Sequence, residues 1–89
     1  MFKTTELLDM LKAAYNLPSD YAIAKKIGYT RQGISKLRNK KSFFNDKDAI
    51  NIAELLELDA IQVVASCNIE RAKKHNEPEL ENFWKQVAA

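Results

Sequence analysis

Helix-breaking residues are nearly absent from this chain, and that scarcity limits its folding more than any other feature. Two prolines, Pro18 and Pro78, and two glycines, Gly28 and Gly33, are the only ones in 89 residues. With Ala, Leu, Lys, Glu and Ile prevailing, the composition favours helices joined by short connections over a strand-rich or disordered chain. The length supports one compact core and excludes a multidomain enzyme.

Apolar spacing places the helices. Leu7, Leu8, Leu11, Ala14 and Tyr15 share a face, predicting a first helix over Thr5 to Tyr15, capped by Thr4 or Thr5 and stopped at Asn16-Leu17-Pro18. Ser19 is the expected N-cap of a second, Asp20 to Ile27, with Ala22, Ile23 and Ile27 inward, Ala24 small enough for close contact and Gly28 at its end. Thr30 caps a third that reaches Leu37 or Arg38, with Ile34 and Leu37 inward. After a loop of Asn39-Lys40-Lys41-Ser42 and an apolar anchor, Phe43-Phe44, a fourth helix begins near Asn45 or Asp46, burying Ala49, Ile52, Ala53 and Leu56.

Asp59 with Gln62 resembles a capping box opening a fifth helix, Ala60 to Lys74. That helix is apolar on two sides: Ile61, Ala65, Ile69 and Ala72 on one, Ala60, Val63, Val64 and Cys67 on the other. A sixth starts at Pro78 and lines up Leu80, Phe83, Trp84 and Val87. The expectation is an all-α bundle of about five helices plus a C-terminal helix, divided as residues 1–74 and an amphipathic segment, 75–89.

Charge is distributed unevenly. Residues 1–41 hold nine basic and three acidic side chains, 9 − 3 = +6, and residues 42–89 hold five basic and nine acidic, 5 − 9 = −4. Between Asp20 and Asp46 no acid occurs, while Lys25, Lys26, Arg31, Lys36, Arg38, Lys40 and Lys41 do. Such a run is either a solvated face or a strip that meets a polyanion.

Cys67 and His75 are each single, so one chain builds neither a disulfide nor a Cys/His zinc site. Cys67 is expected to be a buried small apolar side chain, and His75 a solvent-exposed connector residue. No nucleophile with a partnered base and no glycine-rich phosphate cradle appears, so the expectation is a protein without catalytic residues, cofactor or metal. No apolar run approaches the roughly 20 residues of a membrane span, and no signal segment opens the chain, which suggests a reducing cytosol.

Two short helices meeting at Gly28, with small Ala24 at their contact and Ile34 plugging the angle between them, form the pattern of a helix-turn-helix. Through Ala24-Lys-Lys-Ile-Gly28, Tyr29-Thr-Arg-Gln-Gly-Ile-Ser-Lys-Leu-Arg-Asn39 and Ala49-Ile-Asn-Ile-Ala-Glu-Leu-Leu-Glu-Leu-Asp59, the first two thirds of the chain resemble the lambda repressor and Cro group, the XRE family. The resemblance implies a bundle whose third helix enters the DNA major groove by its amino-terminal half.

Carried over by position, Arg31, Gln32, Ser35 and Lys36 would face base edges. Their chemistry suits this, since Arg and Lys donate to guanine, Gln pairs bidentately with adenine, and Ser donates or accepts. Thr30, Arg38, Asn39, Lys40 and Lys41 would contact phosphates. Gly33 would let the helix approach the groove closely. Asp20 departs from the family, many of whose members carry a phosphate-binding Gln there. An acid repels DNA, so Asp20 is assigned to the dipole of its own helix, and the clamp to Ser19, Tyr21 or the lysines.

One such helix reads few base pairs, so the resemblance implies a homodimer on operator DNA. Its interface is expected among Val63, Cys67, Phe83 and Trp84, the alternative for the last helix being that it folds back over the core of its own chain. The implied role is a phage or prophage repressor in the cytoplasm of a bacterial or phage-infected cell. The rival is a protein-interaction module, such as an antitoxin, that neutralises a partner through the acidic carboxy-terminal half.

Overall fold

A computed structural model covers residues 1–89 and contains six helices and no strands. They are α1 (Thr4–Ala14), α2 (Asp20–Ile27), α3 (Arg31–Arg38), α4 (Asp46–Leu56), α5 (Ala60–Lys74) and α6 (Pro78–Ala88). The all-α bundle expected from breaker scarcity and apolar spacing is the fold observed.

One core joins the first five helices. Leu7, Leu8 and Leu11 of α1, Ile23 and Ala24 of α2, Ile34 and Leu37 of α3, and Ala49, Ile52 and Ala53 of α4 are all buried in it. Val63 and Cys67 of α5 close the core from the far side. Phe44, in the α3–α4 connection, is fully buried, and its partner Phe43 is half-buried. Leu56 is only half-buried at the core's edge. Each large aliphatic side chain withdrawn from water contributes roughly 1.5–3 kcal/mol against chain entropy.

Side-chain caps open four helices. Ser19 Oγ accepts from the Ala22 amide, Thr30 Oγ1 from Gly33, Asn45 Oδ1 from Asp48 and Asp59 Oδ1 from Ile61. Helix α1 differs from expectation. It starts one residue early with no side-chain cap of its own, because Thr4 is buried and turned to α5. Glu70 of α5 accepts from both the Thr4 amide and the Thr4 hydroxyl at 2.7 Å, so the orphan donor is satisfied from another helix. Nor does Gln62 complete a capping box: its Nε2 donates to the Ala88 carbonyl at the end of α6.

That bond also fixes the direction of α6, which runs back antiparallel along α5 with its last turn beside the first turn of α5. The side of α5 that carries Ile61, Ala65, Ile69 and Ala72 is mostly covered. Ala65, Ile69 and Ala72 are buried within the chain, while Ile61 remains 60% exposed.

The turns after α1 to α5 share one form, in which a left-handed residue lets the next amide reach a carbonyl five residues back. Gly28 (φ 77°) serves after α2, and Tyr29 N then donates to Ala24 O. Asn16, Lys40, Glu57 and Asn76 do the same at the other four turns without glycine, at φ between 52° and 61°.

Candidate functional site

Helix α3 owes its orientation to Ile34 and Leu37, which bury one side in the core and turn the opposite side outward. Arg31, Gln32, Ser35 and Lys36 all lie on that outer side, exposed, around one shallow hollow. The i, i+1, i+4, i+5 spacing brings them together whatever their role. By helix geometry the Arg31 and Gln32 amides have no carbonyl one turn back, so they add two free donors at the same end.

Of the seven basic residues between Asp20 and Asp46, six make no ion pair. Three of these rest on aromatic faces instead. Arg31 lies 4.3 Å and Lys25 4.9 Å from the centre of the Tyr21 ring, and Lys26 lies 3.9 Å from that of Tyr15. Stacking holds these cations in place while leaving their charge uncompensated.

Arg38 is the seventh, and its position departs from the phosphate-facing one expected of it. Its Nη2 and Nε donate to Asp20 Oδ1 and Oδ2 at 2.8 and 3.0 Å, and Nη1 donates to Asp9 at 2.9 Å. The guanidinium therefore clamps α1, α2 and α3 together and has no fork left to offer outward. Asp20 is accordingly more than a dipole partner for its own helix. Its hydrogen bonds to Arg38 hold its carboxyl below the ordinary carboxylate range, with Lys12 at 3.5 Å adding to the effect.

Asn39 is likewise engaged: Nδ2 donates to Ser35 O at 2.9 Å and Ser35 Oγ at 3.2 Å, closing the end of α3. Ser35 keeps its own hydroxyl proton to donate. Thr30 is exposed and uses its oxygen as the N-cap, which also leaves its proton free. Lys40 and Lys41 are exposed and unpaired beyond the end of the helix.

Gly33 has a neighbourhood inside the chain. A Cβ built there would stand 3.2 Å from both Thr30 Oγ1 and Tyr29 Cδ2. The Tyr29 ring has little freedom to move aside, because its hydroxyl donates to Asp48 and it packs against Phe44 in a T-shaped pair at 79° and 5.9 Å. Burial, reinforced by Asp48, pushes the Tyr29 hydroxyl well above its ordinary pKa.

Two of the residues expected at a subunit interface are inside the protomer. Val63 and Cys67 are 0% and 1% exposed and belong to the core, so they cannot meet a second chain. Burial, with a lesser contribution from Glu70, pushes the Cys67 thiol up to about 12. His75 is exposed in the α5–α6 connection.

Phe83, 55% exposed, and half-buried Trp84 do lie at the surface, edge to face at 5.3 Å. Sequence spacing missed what surrounds Trp84: Ile50 of α4, Ile61 and Val64 of α5 and Val87 of α6 line a wholly apolar hollow with it. The only hint was the surplus stripe of α5; Ile50 follows no inward spacing on α4.

No protein-family model matches the chain, and no solved structure matches it. Among curated proteins it is similar to "Uncharacterized protein Gp-c" of Pseudoalteromonas phage PM2. The two are 27% identical over 85 residues, which span 94% of this chain and 92% of that protein. No helix is long and apolar enough to cross a membrane.

Proposed function

We propose that the chain is a sequence-specific DNA-binding transcriptional regulator of the lambda repressor and Cro type, which reads the major groove with α3. One observation carries this reading. Arg31, Gln32, Ser35 and Lys36 stand together on an exposed helix face, and none is in an ion pair with the rest of the protein. Two short helices of eight residues each, meeting at a left-handed Gly28 over buried Ala24 and Ile34, give that face the support a groove-reading helix needs.

In this reading Arg31, Gln32, Ser35 and Lys36 address base edges. Thr30, the free amides that follow it, Lys40 and Lys41 address phosphates. Arg38 and Asn39 hold the helix in position. The likeness to a phage protein of no stated function is compatible with a phage setting and adds nothing about mechanism.

A second subunit would meet the apolar hollow around Trp84, extended by Phe83. Pairing two such chains about a twofold axis would let one operator be read as two half-sites about 34–36 Å apart. Occlusion of a promoter would follow from occupancy alone. The same apolar face also favours a second reading, a module that captures a partner protein.

Selection of duplexes from a random pool, followed by binding at two salt concentrations against mixed-sequence DNA, tests the proposal. The expected result is enrichment of a two-fold symmetric sequence, with affinity that falls steeply with salt. Lys40→Gln should weaken binding to all sequences alike and lower the salt slope by about 1. Absence of any enriched sequence would overturn the DNA reading in favour of the interaction module.

A further inference from the structure

We propose that the cleft between the first residues of the chain, the α3–α4 connection and the second half of α5 binds a small amphipathic anion, an acidic head group on an apolar body. Phe2, Phe43 and Ile69 supply a mostly apolar floor, and Lys3, Lys40, Lys73 and Lys74 stand around it. Its volume of about 440 Å³ is on the scale of a small-molecule site.

The charge around this floor is one-sided. Glu70 is the single acid in the lining, and its carboxylate already accepts two hydrogen bonds from Thr4. None of the four lysines has an ion-pair partner, although Lys74 donates one hydrogen bond to the Lys40 carbonyl at 3.1 Å. Even with Lys40 left to the duplex and Glu70 counted at full charge, three ammonium groups against one carboxylate leave an excess of positive charge that calls for an anion, and the aromatic and aliphatic floor beneath them calls for an apolar body. A nucleic-acid backbone would satisfy the lysines and leave the floor bare. A neutral hydrophobe would cover the floor and leave the lysines unmatched.

Sequence gives no view of this site, because Lys3, Lys40 and Lys73 are brought together only by the packing of α5 beside the chain start. Ser66 holds that start in place by accepting from the Phe2 amide at 3.0 Å.

The test is titration of the full chain, without DNA, with decyl phosphate, decanoate, inorganic phosphate and decanol, followed by amide and methyl NMR shifts. Decyl phosphate and decanoate should saturate one site, with the largest shifts at Phe43, Ser66 and Ile69. Inorganic phosphate and decanol should each bind at least about tenfold more weakly, since each lacks half of the recognition. Lys73→Gln combined with Lys74→Gln, both exposed and outside the proposed duplex contacts, should weaken decyl phosphate by about five- to tenfold without altering the melting temperature.

Equal binding of inorganic phosphate, shifts centred on Trp84 and Ile61, or no saturation by either amphiphile would overturn the site. Duplex binding measured on the same variants keeps the two proposals apart. Amphiphile affinity unchanged in the double variant, or no amphiphile binding by a parent chain that still binds operator, condemns the cleft alone, and saturation of the cleft by a chain that ignores DNA condemns the groove reading alone.

Discussion

Arg31 opens α3 and Arg38 ends it, and the two guanidinium groups have opposite surroundings. Arg31 is exposed on the face of Tyr21 and has no ion-pair partner. Arg38 is half-buried and holds two carboxylates from two other helices. The start of α3 is thus charged and uncompensated, whereas its end is charged and internally satisfied. Counting cations along the sequence gives both ends equal weight. The packing of α1 against α2 and α3 gives Arg38 its partners, and the same packing leaves Arg31 without one.

Exchanging the roles of the two arginines is the sharpest way to break this comparison. Arg31→Ala should cost about 1–3 kcal/mol of binding at a single base position of the selected duplex. Its stability should stay within roughly 0.5 kcal/mol of the parent, as for other surface changes. Binding to a panel of single-base variants, beside a thermal melt, reads both quantities. Equal losses on every sequence would mean that Arg31 serves the backbone instead.

Arg38→Met should show the reverse. Loss of three charge-assisted hydrogen bonds, discounted for partial exposure, is expected to destabilise the fold by about 1–2 kcal/mol. The folded fraction should keep its duplex affinity and salt slope. Urea unfolding and salt titration measure the two effects, and a reduced slope with unchanged stability would return Arg38 to the phosphate-facing group.

The Asp20 partner supplies a smaller, pH-dependent version of the same test. Its pKa is lowered in the folded chain by the Arg38 hydrogen bonds, so the unfolded chain binds the proton more readily. The contribution is present above the unfolded value of about 3.9 and is lost as pH falls through the lower folded value. Because Asp20 is partly exposed, the effect should be less than about 1 kcal/mol. Urea midpoints taken from neutral to acid pH should fall less steeply in Asp20→Asn than in the parent chain. Identical acid profiles would show that the Asp20–Arg38 pair contributes nothing measurable.

The limits of sequence reading follow the same division. Helices α2 and α3 were legible to their ends because local signals set them: Ser19 and Thr30 as caps, Gly28 as a turn, and Ile34 and Leu37 as inward residues. The outward group Arg31, Gln32, Ser35 and Lys36 was legible for the same reason, since one short helix positions all four. Contacts between distant segments were not. Thr4 is a fair cap by its type, yet it is satisfied by Glu70, 66 residues away. Arg38 and the acids it meets lie 18 and 29 positions apart. Val63 and Cys67 looked surplus because spacing reveals an apolar side without revealing which helix covers it. Four of the five left-handed turns were hidden as well, because Asn16, Lys40, Glu57 and Asn76 carry no glycine signal.

Gly33 offers the finest test of how the start of α3 is built. In an open helix, alanine in place of glycine gains about 1 kcal/mol. Here the added methyl would sit 3.2 Å from the Tyr29 ring and from the Thr30 hydroxyl. The ring is held by Asp48 and Phe44, and the hydroxyl by the Gly33 amide, so neither yields freely. Crowding should therefore cancel most of the propensity gain, leaving Gly33→Ala within roughly 0.5 kcal/mol of the parent in urea unfolding. Were glycine required only for close approach to a groove, the variant would instead gain the full increment of stability while losing duplex affinity. The two measurements together separate a residue chosen by its own helix cap from one chosen by what the helix meets.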